Sequence, residues 1–179
     1  MKTITESEMN FGRYKEENLF EIENSQIRKS LGEVVKTVEF ILLKNDKHII
    51  FLEAKKNCPN EHNMNDSPNK RLKFENFYND VTQKFTDSLQ VYLAAILNRY
   101  GNLSEIGHNL CTPENCSEKE IFFVLVIKCA EISWLSGVKA ILEKRLLSLR
   151  KIWKIKILVL NHELAQKKGL ALKNDASDF

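Results

Sequence analysis

Two short apolar runs, residues 34–43 and 49–54, limit the architectures open to this chain more than any other feature. Both are rich in β-branched residues and neither follows a helical period. A polar break at Asn45, Asp46 and Lys47 separates them, so together they predict a β-hairpin. Strands that are apolar on both faces belong inside a sheet covered on both sides. With 179 residues the chain can bury one good core, whereas two domains of half that size would each be poorly buried. The expectation is one domain over residues 1–179, with its core at about 14–161 and a polar tail at 170–179.

The remaining segments fit an α/β class. Residues 14–31 place Leu19, Phe20, Ile22, Ile27 and Leu31 near helical spacing and predict a first helix ending at Gly32. Residues 56–71 hold Pro59, Pro68 and several asparagines and predict a loop, whereas 74–100 resume an amphipathic helical pattern. After an irregular connection at 101–119 come a buried strand at 121–129, a helix at 136–149, a strand at 155–160 and a short helix at 163–168. The expected order is αββα followed by βαβα.

Composition mainly excludes. The longest strictly apolar run is residues 121–127, far short of the roughly 18 residues of a membrane-spanning helix. The N-terminus lacks the apolar stretch of a secretory signal, which predicts a cytoplasmic protein with no membrane partner. Four cysteines, with Cys129 read as core, do not suggest a disulfide framework. There is no P-loop, GxSxG or GxGxxG, so nucleotide-dependent chemistry is disfavoured. A net charge of +3 is compatible with a polyanionic partner but does not by itself imply one.

Two carboxylates stand out against the apolar hairpin. Glu39 shares a strand face with Val35, Thr37, Ile41 and Leu43, and Glu53 shares one with Ile49, Phe51 and Lys55. If the hairpin loop has an odd number of residues, Glu39 lies directly opposite Glu53, where like charges repel. Such a pair persists where a proton or cation stands between the acids, and a hard divalent ion suits them. With a loop of even length the acids would point to opposite faces and no site would form.

The spacing Val38-Glu39-Phe40, then thirteen residues, then Glu53-Ala54-Lys55 resembles the acid-plus-ExK signature of the PD-(D/E)XK nuclease superfamily, the restriction-endonuclease-like fold. Phe20-Glu21-Ile22-Glu23-Asn24-Ser25 supplies a further acid, Glu23, where the family often places one on the preceding helix; Glu17 is the weaker candidate. Glu39 stands where the family usually has Asp, and no Pro precedes it. The resemblance implies an αβββαβ core with a mixed central sheet and helices on both faces. It also implies Mg2+, or Mn2+, held by Glu23, Glu39, Glu53 and the Ala54 carbonyl, with Glu39, Glu53 and Lys55 as the catalytic group. The implied activity is phosphodiester hydrolysis of nucleic acid, DNA rather than RNA, and small members often act as homodimers. The alternative is a non-catalytic nucleic-acid- or protein-binding domain of the same fold.

Other features read more plainly. Lys84, after Gln83 on the long helix, is either an assisting residue of the same site or a solvated charge. The basic stretch Lys144, Arg145, Arg150, Lys151, Lys154 and Lys156 can follow a phosphate backbone, but a solvated helical face with Trp153 in the core is the default. Cys58 with His62, or His108 with Cys111 and Cys116, lack paired zinc-ligand spacing. Exposed apolar residues around Trp134, Leu135 or Trp153 are the candidate dimer face.

Overall fold

A computed structural model describes residues 1–59, 66–101 and 103–173. It holds an antiparallel hairpin, β1 (Lys2–Glu6) and β2 (Met9–Tyr14), and a five-stranded sheet. The sheet runs, edge to edge, β3 (Leu19–Phe20), β4 (Phe40–Lys44), β5 (His48–Lys55), β6 (Glu120–Ile127) and β7 (Lys156–Asn161). Its first three strands are antiparallel and its last three parallel. The helices are α1 (Gln26–Ser30), α2 (Pro68–Ile96), α3 (Pro113–Ser117), α4 (Ile132–Arg145), α5 (Leu147–Trp153) and α6 (His162–Lys167). The class is α/β with a mixed sheet. No helix among the described residues is long and apolar enough to cross a membrane.

Alternation along the strands divides the core in two. Ile41, Leu43, Ile49, Phe51, Phe123, Leu125 and Ile127 face α2 and α4, where the Phe85 ring stacks on Phe123 at 4.7 Å. Phe40, Leu42, Leu52, Val124 and Val126 face the other way, onto Ile4, Met9 and Phe11 of the β1–β2 hairpin and Ala165 of α6. Helices therefore do not cover the two faces equally. The second face is closed largely by a hairpin whose inward residues supply the apolar layer.

α2 begins at Pro68 behind an N-cap, Ser67, whose hydroxyl accepts from the Lys70 N–H. Its buried positions, Phe74, Tyr78, Val81, Phe85, Leu89 and Tyr92, recur every three or four residues and form one stripe. The same helix anchors the chain entering β4. Asp87 Oδ2 accepts from the Lys36 N–H at 3.0 Å, and the Ser88 hydroxyl accepts from the Val38 N–H at 2.8 Å. The segment just before Glu39 is thereby tied down without belonging to a strand.

Several expectations are corrected. Residues 14–31 are not one helix: they contain the end of β2, a 3-10 turn at Glu16–Asn18, β3, a further turn and the five-residue α1. Leu19 and Phe20 are both buried because β3 is an edge strand sandwiched between the two cores, so near-helical spacing of apolar residues did not mean helix. The polar N-terminus forms β1 and β2, and residues 170–171 pack into the second core, so ordered structure extends beyond 14–161. The helix expected at 136–149 is two, meeting at Leu146. Cys129 is exposed because β6 ends at Ile127, and Trp153 is 42% exposed because α5 buries no residue. Leu135 is buried and does not belong to an exposed face.

Candidate active site

The three-residue hairpin loop settles the parity. Lys44 pairs with His48 and Phe40 with Leu52, and Asn45 and Asp46 both take positive φ, which Asn and Asp tolerate better than most residues. Glu39 stands in a bend just before β4, where its N–H donates to the carbonyl of Leu52, the residue paired with Phe40, at 3.1 Å; its carboxylate nevertheless reaches the same ammonium, Lys84, as Glu53 does. Both side chains face α2. Glu53 is fully buried and Glu39 is 9% exposed.

α2 supplies the counter-charge. Lys84 Nζ lies 3.0 Å from Glu53 Oε1 and 3.2 Å from Oε2, 3.7 Å from Glu39 and 3.8 Å from Glu23. One ammonium thus touches all three carboxylates named from the sequence. Lys55 Nζ sits at the outer edge, 3.1 Å from Glu53 Oε1 and 3.1 Å from Asp80 Oδ2. Asp80 Oδ1 in turn binds Lys36 Nζ at 2.8 Å. Glu53 Oε1 is a buried oxygen whose neighbours are two ammonium groups, Lys84 and Lys55.

The charges are strongly perturbed. Burial pushes the Glu39 carboxyl far above the usual carboxylate range, helped by a hydrogen bond shared with Glu23 and by the charge of Glu53. Burial also raises Glu53, against the opposing pull of Lys84 and Lys55. Burial works against the charge on Lys84, but Glu53, Glu39 and Glu23 overcome it and raise that ammonium. Burial and the neighbouring acids thus favour the protonated form of Glu39, and Lys84 opposes them. Asp80 behaves differently: although burial opposes its charge, Lys36 and Lys55 hold it below the ordinary carboxylate value.

The turn of the β1–β2 hairpin lies over this cluster. Ser7 Oγ donates to the Ala54 carbonyl at 3.0 Å, and Glu8 bridges Lys56 and Lys128. Glu6 is half-buried, and burial followed by the charge of Glu23 raises its carboxyl. The sequence reading missed Asp80, Ser7 and Glu6. Only Asp80 carried a signal, since it precedes Lys84 by one helical turn and shares its face. Glu17 is drawn to Lys15 at the surface.

The donor set, carboxylates and a backbone carbonyl, suits a hard cation such as Mg2+. Among the described residues, however, no three His, Cys, Asp or Glu side chains are drawn together into a metal cage, because Lys84 stands among the acids. Of the zinc candidates, His62 lies outside the described residues. Much of the basic stretch is already paired: Arg145 with Glu75, Arg150 with Glu143 and Lys156 with Glu120. No family model, curated protein or solved structure matches the chain.

Proposed function

We propose that this protein is a divalent-metal-dependent nuclease with a restriction-endonuclease-like core, acting on DNA rather than RNA. The observation that carries the reading is the convergence of Glu39 and the fully buried Glu53 on one ammonium, Lys84, with Lys55 bound to Glu53 at the outer edge. A sheet interior does not retain two neighbouring acids without compensation, since an uncompensated buried charge costs several kcal/mol.

Glu39 and Glu53, with Glu23 and the Ala54 carbonyl, would hold Mg2+ or Mn2+. The bound ion would supply Lewis acidity toward a phosphodiester and a more acidic attacking water. Lys55, only 26% exposed and steadied by Asp80, is placed to orient the nucleophile and offset charge on the phosphate. Lys84 neutralises the carboxylates when no metal is present. That same contact favours a second reading, in which the cluster is a structural ion network in a non-catalytic binding domain.

Cleavage of single- and double-stranded DNA and RNA, with Mg2+, Mn2+ or EDTA, separates the two. The expected result is metal-dependent cleavage by the wild type and a loss of about 100-fold or more in Glu53→Gln and Lys55→Ala. A wild type that cuts nothing and binds no divalent ion in calorimetry overturns the nuclease reading in favour of the second.

A further inference from the structure

Beside Asp80, α2 and the segment before β4 enclose an open groove of about 540 Å³. Lys36 contributes from that segment, and Lys73, Asn76, Phe77, Asp80 and Gln83 contribute from one stripe of α2. The groove borders the acid cluster through Asp80, which lines it and also holds Lys55, the lysine in contact with Glu53. Lys73 is exposed and enters no ion pair among the described residues. Phe77 is half-buried, its ring set edge-on to Tyr78 at 5.2 Å, and it is the aromatic residue of the lining.

We infer that this groove is the track for one unpaired strand of nucleic acid on its way to the acid cluster; the inference rests on the nuclease reading of that cluster. Two ammonium groups and three carboxamides, Asn79 with Asn76 and Gln83, around one aromatic ring are the chemistry that takes successive phosphates, base edges and a base face of a single strand. Burial favours a single strand over a duplex. Glu53 is fully buried and the Lys84 side chain is 13% exposed, so the reacting phosphate must descend below the protein surface. A duplex is stiff over about 150 base pairs, and its internal base faces are covered by neighbouring bases. An unpaired strand can bend inward and offer a base to Phe77. DNA and RNA strands share this chemistry.

Fluorescence anisotropy in EDTA, where no cleavage competes, tests the groove apart from the metal. The probes are labelled oligo-dT, oligo-rU and a mixed-sequence duplex, each about 12 nucleotides long. The expected outcome is single-strand binding at least about tenfold tighter than duplex binding, with the dT to rU ratio reporting DNA or RNA preference. Phe77→Ala should weaken single-strand binding about tenfold. Lys73→Ala, at an exposed position, should lower the slope of log K against log salt by about 0.7 and keeps the test valid if Phe77→Ala does not fold. Duplex binding as tight as single-strand binding, no binding of either strand, or unchanged affinity and salt slope in the folded variants overturns the inference. Metal-dependent cleavage that persists alongside those results would leave the nuclease reading standing without it.

Discussion

Replacing Lys84 by Met keeps most of the aliphatic stem and removes the ammonium that touches Glu53, Glu39 and Glu23. At an effective dielectric constant of about 20, a unit pair at the 3.0 Å separation from Glu53 attracts by about 5 kcal/mol. The variant need not lose all of that, because the stranded carboxylate can take up a proton. For a carboxyl whose ordinary value is 4.5, that uptake takes about 4.8 kcal/mol near pH 8 and about 0.7 kcal/mol near pH 5. Lys84→Met should therefore lose about 3–5 kcal/mol near pH 8 and less than about 1 kcal/mol near pH 5. The sign follows from proton counting. With Lys84 gone, the Glu53 carboxyl rises further above the already raised wild-type value, so between those two values the native variant holds one proton more than the native wild type and its stability relative to wild type falls as pH rises. Within that window the slope is about 1.4 kcal/mol per pH unit. Urea unfolding followed by tryptophan fluorescence, in EDTA and in Mn2+, measures both quantities. Mn2+ should restore more stability to the variant than it adds to wild type, since one cation replaces another. Equal destabilisation at the two pH values would show that Lys84 acts through packing, and absence of Mn2+ rescue would remove the cation site.

Three further perturbations reach different parts of the molecule. Asp80→Asn leaves Lys55 with Glu53 as its remaining acidic contact, which should lower the cleavage rate about tenfold; Asp80→Glu should recover most of it, and an unchanged rate for Asp80→Asn removes Asp80 as a positioning residue. Ser7→Ala frees the Ala54 carbonyl of its 3.0 Å donor and should weaken Mn2+ binding in calorimetry by about tenfold without shifting the melting temperature by more than a few degrees. Gly107 donates its N–H to the Leu19 carbonyl at 2.9 Å, and a Cβ there would sit 2.6 Å from backbone atoms of Glu16 and Glu17. Gly107→Ala should cost about 1–3 kcal/mol in chemical denaturation, and a neutral result would mean that the neighbouring turn yields freely.

The hairpin was legible because strand alternation and a polar triplet are local signals that burial reinforces. The three-residue loop was legible too, but the bend that carries Glu39 out of β4 was not, because it depends on the tie between residues 36–38 and α2. Residues 14–31 were misread because Leu19, Phe20, Ile22 and Ile27 reach helical spacing only by coincidence; they enter the core from a strand, a turn and a short helix in succession. The β1–β2 hairpin was illegible for the opposite reason. Ile4, Met9, Phe11 and Tyr14 are too few and too widely separated to signal strands, and they become a layer only against Phe40, with Phe11 and Tyr14 at 5.7 and 5.6 Å from its ring. Ser7 and Asp80 acquire meaning only once long-range packing brings them to Ala54 and Lys55.

The three-residue loop between β4 and β5 also bears on the order of folding. Hairpin closure, an event of about 1–10 μs, brings Glu53 alongside the chain that carries Glu39 just outside β4, whereas Lys84 arrives only when α2 docks from 31 residues farther along the chain. The nascent hairpin therefore carries two neighbouring acids with their principal counter-charge still absent. Refolding should accordingly accelerate as pH drops toward 5, because protons stand in for Lys84 until the helix lands.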